Sequence, residues 1–161
     1  MRMFARIAVR YRWLVYSWCL MTTHYHVVLH TPEAGLSEGM RDLNGGYARW
    51  SNRYHARQDH AFGKRFGSVL IETDEHLREA CRYVVLNPVR AGICSSPVDW
   101  PWSSYGATAG LVQPPSFLAV GAVLGMFHHD PAKARAAYRA FIAGGIGLDG
   151  HVPVPGTVPE L

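Results

Sequence analysis

The chain has 161 residues, of which 48% are hydrophobic and 17% are charged, and this composition is typical of one globular domain with its own core. No stretch reaches the ~18 consecutive apolar residues of a membrane helix, and residues 1–6 lack the long apolar segment of a signal peptide, so we expect a cytoplasmic protein. The formal net charge of +4 favours a polyanionic partner.

A short helix and a β-hairpin are the first elements that the sequence predicts. Residues 2–11 place apolar side chains such as Ile7 and Tyr11 at helical spacing. Aromatic, β-branched and apolar residues then fill 13–21, and the same pattern resumes over 24–31 after a Thr-Thr interruption. We therefore predict a helix followed by two paired strands.

A long helix and a third strand are predicted next. Apolar side chains recur at intervals of three and four residues from Leu36 to Tyr54, which predicts a helix that Gly45 and Gly46 weaken. The alternation from Phe66 to Ile71 favours a strand.

The start and stop signals of two later helices are clear. Thr73 is a suitable N-cap, and the helix that follows should end near Leu86, because Pro88 disfavours helical geometry in Asn87. We expect Asn87 in the last turn or just past it. A short helix is predicted over 118–127, and a longer one begins at Asp130-Pro131 and ends at a Gly-Gly pair over 144–145.

The chain is divided by these signals into three parts. Residues 1–110 form the main domain, residues 111–145 a C-terminal helical extension, and residues 146–161 a flexible tail dominated by Gly, Pro and Val. Cys19, Cys81 and Cys94 are odd in number and widely spaced, which fits neither a disulfide framework nor a zinc pair. We expect buried thiols.

Two histidines near the start of the second predicted strand are candidate metal ligands. Side chains alternate faces along a strand, so His24 and His26 project from the same face and both imidazoles can reach one ion. The pattern alone is weak, because partly buried histidines without a ligand are common at strand ends.

Tyr83 and Asn87 are four residues apart and therefore share a helix face if the last turn holds. Tyrosine is a poor nucleophile at neutral pH and needs a nearby cation, which the histidine pair would hold. The alternative interpretation is structural: Tyr83 packs in the core and Asn87 caps the helix before Pro88.

A basic segment lies between Arg41 and Arg65, with six basic residues against two acidic ones. Arg49, Arg53 and Arg57 form an i, i+4 ridge beside three rings, Tyr47, Trp50 and Tyr54. This arrangement can place cations on phosphates and rings against unstacked bases. An aromatic stripe at helical spacing is more often core, so we expect Trp50 to be buried and the arginines exposed.

Four runs of the sequence resemble one known family. They are CLMTTHYHVVL at 19–29, FGKRF at 62–66, RYVVLNPVRAG at 82–92 and WPWSSY at 100–105. In order and spacing these runs resemble the single-tyrosine HUH transposases, and within them the REP-associated tyrosine transposases. The resemblance covers roughly residues 10–144.

The resemblance implies an α+β fold with an antiparallel sheet of ferredoxin-like type, in which residues 1–110 are the catalytic domain. It places the histidines on a central strand and the tyrosine on a helix packed across it. It also implies a first β-strand ahead of Met1, so that this strand is missing at the N-terminus of the chain.

The implied activity is DNA strand cleavage and transfer by transesterification. The tyrosine would attack single-stranded DNA beside a hairpin (a REP-like palindrome), leaving a 5′-phosphotyrosine link and a free 3′-hydroxyl. By position, Tyr83 would be the nucleophile, His24 and His26 metal ligands, and Asn87 a third ligand. By family analogy Lys64 and Arg65 would join the arginine ridge in contacting DNA. The resemblance leaves open a monomer or a homodimer, and we expect association with the nucleoid.

Two questions remain open from the sequence. Imidazole pairs suit zinc, copper or iron, whereas the resemblance favours Mg or Mn, and manganese is the compromise to test first. The alternative to an enzyme is a truncated or domesticated relic that binds DNA hairpins without cutting them.

Overall fold

The structure is a computed structural model that describes residues 1–56, 58, 62 and 65–147. It has an α+β architecture, as predicted from the sequence. Its principal elements in chain order are α1 (Arg2–Arg10), β1 (Leu14–Leu20), β2 (Tyr25–His30), α2 (Leu36–His55), α3 (Asp74–Arg90), a 3-10 turn (Pro97–Asp99), α4 (Tyr105–Thr108), α5 (Val120–Gly125) and α6 (Pro131–Ala143). None of the described helices is long and apolar enough to cross a membrane.

The predicted hairpin is confirmed and forms the centre of the fold. β1 and β2 pair antiparallel, with Cys19 opposite His26 and an irregularity between Val15 and Ser17. Over the described residues the sheet has two strands in the order β1-β2. The expectation that the histidines lie on a central strand is therefore not met, because β2 is an edge strand of the sheet that the structure describes.

Backbone from two later segments occupies the other edge of β1. Leu20 donates its N–H to the Trp102 carbonyl at 2.8 Å, and Ser104 donates to the Trp18 carbonyl at 2.9 Å. Farther along the strand, Ala119 donates to the Val15 carbonyl at 2.8 Å. These bonds pair backbone N–H and carbonyl groups on the outer edge of β1, and they attach the aromatic turn at 100–105 to the sheet.

The predicted third strand over Phe66–Ile71 is wrong, since residues 65–72 form no strand. Phe66 packs with the cluster around α1 and α2, whereas Ile71 packs with the cluster under α3. Those clusters lie on opposite faces of the sheet. The segment therefore contributes side chains to the cores on both faces of the sheet without forming a strand.

Each face of the hairpin carries its own core. On one face, Val15 and Trp18 are buried with Ile7 of α1 and Leu43 of α2. Gly39 of α2 is buried directly against the Trp13 ring, where a Cβ atom would clash with the indole. On the other face Cys19 and Val28 pack against α3. Burial raises the pKa of the Cys19 thiol to about 11 and that of Cys81 to about 12, so both are the inert buried thiols that we expected, whereas Cys94 is partly exposed.

Helix α3 is longer than the sequence predicted. Thr73 caps it as expected, accepting the His76 N–H at 3.1 Å. The helix then continues through Pro88 to Arg90 instead of ending near Leu86. Pro88 is fully buried, and this packing outweighs the local cost of a proline in a helix. The actual end is set by Gly92, whose φ of +65° is a backbone conformation that glycine adopts readily.

The two predicted helices of the C-terminal extension are confirmed as α5 and α6. Asp130 caps α6, accepting the Lys133 N–H at 2.9 Å. Ile142 of α6 is buried in one cluster with Leu86 of α3, and the Arg82 guanidinium lies 4.4 Å from the centre of the Phe141 ring. The extension therefore packs directly against the helix that carries Tyr83.

Candidate active site

The histidine pair lies at the end of the turn between β1 and β2, where β2 begins. His24 precedes the strand, and its carbonyl accepts the Met21 N–H at 2.8 Å, which closes the turn. His26 is on β2 itself. The two Nε2 atoms are 3.1 Å apart, and His24 is exposed while His26 is partly buried. The predicted convergence of the two imidazoles is thus present in the fold.

This separation is compatible with two ligands of one metal ion. At metal–nitrogen bonds of about 2.1 Å, two ligands at a right angle lie about 3 Å apart. Over the described part of the chain, no three His, Cys, Asp or Glu side chains converge on a metal position. The remaining donors at the histidine pair would therefore be other groups, such as an amide oxygen, water or substrate phosphate oxygens.

Tyr83 is brought to the histidines by the packing of α3 across the sheet. Ala80, Cys81 and Val84 of this helix pack on Cys19 and Val28. On the same side, the Tyr83 ring lies 5.9 Å from the His26 ring, measured between centroids, with the two planes nearly perpendicular. The fold thus joins a strand and a helix that are far apart in the sequence at one position.

Asn87 lies one turn beyond Tyr83, in the last turn of α3 as predicted. Its amide nitrogen donates to the Tyr83 carbonyl at 2.9 Å. Because a carbonyl only accepts, this bond fixes the amide orientation and leaves the Oδ1 atom as the acceptor of the group. The role of Asn87 as a third ligand stays a prediction.

Arg90 is a site residue that the sequence reasoning missed. Its guanidinium lies 4.9 Å from the centre of the Tyr83 ring and donates to the Tyr83 carbonyl at 3.3 Å. Partial burial lowers the pKa of Arg90 below its ordinary value. The available signal was the spacing, since residues seven apart lie on the same face of a helix two turns on, but that face exists only because α3 continues through Pro88.

The predicted DNA-contacting residues lie on other parts of the surface. Arg49 and Arg53 are exposed on α2, as expected, and Arg65 is exposed in the segment that precedes α3. The α2 helix is on the face of the sheet opposite the histidines, because Tyr25, which alternates with His26 on β2, donates its hydroxyl to Asn44 at 2.7 Å. Arg57 and Lys64 fall outside the described residues.

The expectation that Trp50 is buried is wrong. Trp50 is 51% exposed, because the buried residues of α2 are all in its first half: Gly39, Met40 and Leu43. Beyond Leu43 the helix carries its rings past the packed core. The stripe of Tyr47, Trp50 and Tyr54 is therefore a surface feature and not part of the core.

Comparison with known proteins assigns the chain to a family. The family described as "Transposase IS200 like" matches residues 1–87, which is more than half of the chain. The chain belongs to this family. The matched range of this IS200-like transposase includes both histidines and Tyr83, and it ends on Asn87.

A curated relative supports the narrower resemblance. A protein of Haemophilus influenzae (strain ATCC 51907 / DSM 11121 / KW20 / Rd), provisionally named a REP-associated tyrosine transposase, is 28% identical over 98 residues. The aligned region is 54% of this chain and 56% of that protein, so the chain spans little more than half the length of this relative. No solved structure matches the chain.

Proposed function

We propose that this IS200-like transposase cleaves single-stranded DNA beside a hairpin and transfers the cut strand, with Tyr83 as the nucleophile and a divalent metal, Mg or Mn, held by His24 and His26. The observation that carries the proposal is the meeting of three rings: two imidazole nitrogens 3.1 Å apart, and the Tyr83 ring 5.9 Å from that of His26. A REP-like hairpin as the recognised structure is supported by the name of the curated relative.

The reaction is a transesterification in two balanced steps. The Tyr83 oxygen attacks phosphorus and forms a 5′-phosphotyrosine bond, while the bond from phosphorus to the 3′ oxygen breaks. The phenolic proton passes to solvent, and the 3′ oxygen takes up a proton from solvent and leaves as a hydroxyl. In the second step a 3′-hydroxyl attacks the phosphotyrosine, which rejoins the strand and returns Tyr83 to its starting state.

The residues of the chain contribute orientation and charge to these steps. When bound, a divalent ion would neutralise the scissile phosphate and stabilise the leaving oxygen. Packing of α3 on the sheet holds the phenol beside His26, which lowers the entropic cost of the attack. Arg90 holds the Tyr83 backbone and keeps a positive charge over the ring.

The proposal is tested by incubating the purified chain with a labelled single strand that bears a hairpin, in the presence of Mn²⁺. We expect a DNA–protein adduct that survives denaturation and migrates as one labelled band. A folded protein that binds the hairpin but gives no adduct would contradict the enzymatic function and support a DNA-binding relic.

The Arg90→Met variant should form the adduct about tenfold more slowly. Methionine retains apolar packing but removes the charge over the Tyr83 ring and one hydrogen bond, which together are worth roughly 1–2 kcal/mol. Initial rates of adduct formation at saturating DNA measure the effect. The same change at Arg78, on the same helix, is the control, and equal rates for the two variants would exclude a role for Arg90.

A further inference from the structure

The surface of α2 that was expected to be core has a chemical character of its own. We propose that Tyr47, Trp50 and Tyr54, here called the ring row, form a stacking platform for unpaired bases of single-stranded DNA, with Arg49 and Arg53 holding the phosphates. This inference rests on the proposed function only for the choice of DNA as the nucleic acid.

The exposure of the ring row is the first argument. Tyr47 is 44%, Trp50 51% and Tyr54 72% exposed. Exposing three neighbouring large rings to water is unfavourable for a monomer, and contiguous apolar patches of this kind mark binding surfaces.

The second argument is the arrangement of the rings. The Trp50 and Tyr54 rings are stacked at 5.5 Å with an angle of 18°, and Tyr47 lies 5.7 Å from Trp50. Trp50 and Tyr54 cover each other's facing sides, so unstacked bases can pack on the outer faces of these rings. Every base has a flat π-face, but in a duplex the neighbouring base pairs cover it, so this geometry favours a single strand over a duplex.

Charge along α2 supplies the third argument. Arg49 and Arg53 are exposed beside the ring row, and the helix has no Asp or Glu from Leu43 to its end. The preceding acid, Asp42, is already paired with Arg10 at 3.1 Å and accepts the Tyr11 hydroxyl at 2.7 Å. The surface is therefore cationic and aromatic together, which suits a nucleic acid strand better than a second copy of this basic chain.

The ring row is connected through Phe62 to β2, the strand that carries His26. Tyr47 contacts Phe62, whose ring lies 5.6 Å away, and Phe62 lies 6.3 Å from the Tyr25 ring. Tyr25 is the residue between His24 and His26. The ring row therefore adjoins β2 on the face of the sheet opposite the histidines.

The test uses Tyr83→Phe protein in EDTA with a short, unstructured oligothymidine that has no hairpin, so that neither cleavage nor metal binding affects the result. Trp50→Ser should weaken binding about fivefold or more, the loss of one stacked base, whereas Trp50→Phe should retain most of the affinity. Trp102→Ser is the matched control, because Trp102 is 57% exposed and lies beside the opposite edge of the hairpin. Circular dichroism of each variant establishes that it is folded.

Two further readouts separate stacking from a structural effect. Oligothymidine should quench the tryptophan fluorescence of the protein that retains Trp50. This quenching should disappear in the Trp50→Phe variant but persist in the Trp102→Phe variant. Arg53→Gln should reduce the slope of log affinity against log salt by about one, and the same change at Arg6 on α1 should not. Unchanged affinity in Trp50→Ser, or a dimer that this variant disrupts without change in DNA binding, would overturn the proposal. Because no adduct is measured, this outcome is independent of whether Tyr83 cuts DNA.

Discussion

Replacement of Tyr83 by phenylalanine is expected to abolish the covalent DNA adduct. Phenylalanine lacks the oxygen that would attack phosphorus, and the loss should be on the order of 10³-fold or more, as for other nucleophiles that form covalent intermediates. The ring itself is kept, so its contacts with His26 and with the Arg90 guanidinium should persist. We therefore expect little change in thermal stability or in hairpin binding.

The measurement is the labelled band that survives denaturation, followed by mapping of the peptide that carries the nucleotide, which should contain Tyr83. Tyr16→Phe is the matched control, because Tyr16 is also partly buried and packs against the same cluster as Tyr83. An adduct of undiminished yield in Tyr83→Phe would show that another residue is the nucleophile and would refute the mechanism given above.

The second large effect is expected from the histidine pair. His26→Ala, and the double change with His24→Ala, should reduce metal-dependent cleavage by at least about 100-fold, because an ion that loses an imidazole ligand no longer stabilises the phosphate and the leaving oxygen in place. The two Nε2 atoms are 3.1 Å apart, so removal of either side chain destroys the pair as a chelating unit. The fold should tolerate the change at His24, which is exposed.

Metal binding itself gives a readout apart from activity. Calorimetric titration of the DNA-free protein with Mn²⁺ and with Zn²⁺ should show a site in the wild type that the double variant lacks. His30→Ala is the control, since His30 is on the same strand and is exposed. Equal metal affinity and equal cleavage in the double variant and in the control would remove the histidines from the proposed centre.

A comparison of Zn²⁺, Mn²⁺ and Mg²⁺ in the same titration addresses the choice left open by the sequence. Two imidazoles favour zinc over magnesium on ligand chemistry alone. An amide oxygen and phosphate oxygens would shift that preference toward manganese or magnesium. Affinity measured with and without the DNA strand separates the contribution of the protein from that of the substrate.

The elements that the sequence predicted correctly depend on local rules. Alternation over residues 13–31 defines the hairpin and puts both histidines on one face. Thr73 and Asp130 define helix starts because each side chain accepts a backbone N–H three residues on. The family resemblance, which depends on short ordered motifs, was likewise accessible from the sequence and is confirmed by the family match over residues 1–87.

The features that the sequence did not predict depend on which surfaces meet in three dimensions. Trp50 has the spacing of a core residue, but α2 extends past the core, so its ring is exposed. The 66–71 segment alternates like a strand and reaches the cores on both faces, yet it forms no strand. Helical spacing and alternation of apolar residues indicate a face that is suited to burial. They do not show whether another element of the fold packs against that face.

The relations between the site residues likewise fall into those that the sequence sets and those that only the tertiary structure sets. The sequence by itself determined that His24 pairs with His26 and that Tyr83 and Asn87 share a helix, because both relations are fixed by the repeat of a strand or a helix. Only the tertiary structure decided that the Tyr83 ring meets His26, and that Arg90 joins them. Those contacts require α3 to pack across the hairpin and to continue through a buried Pro88, and burial of that kind is a property of the assembled fold.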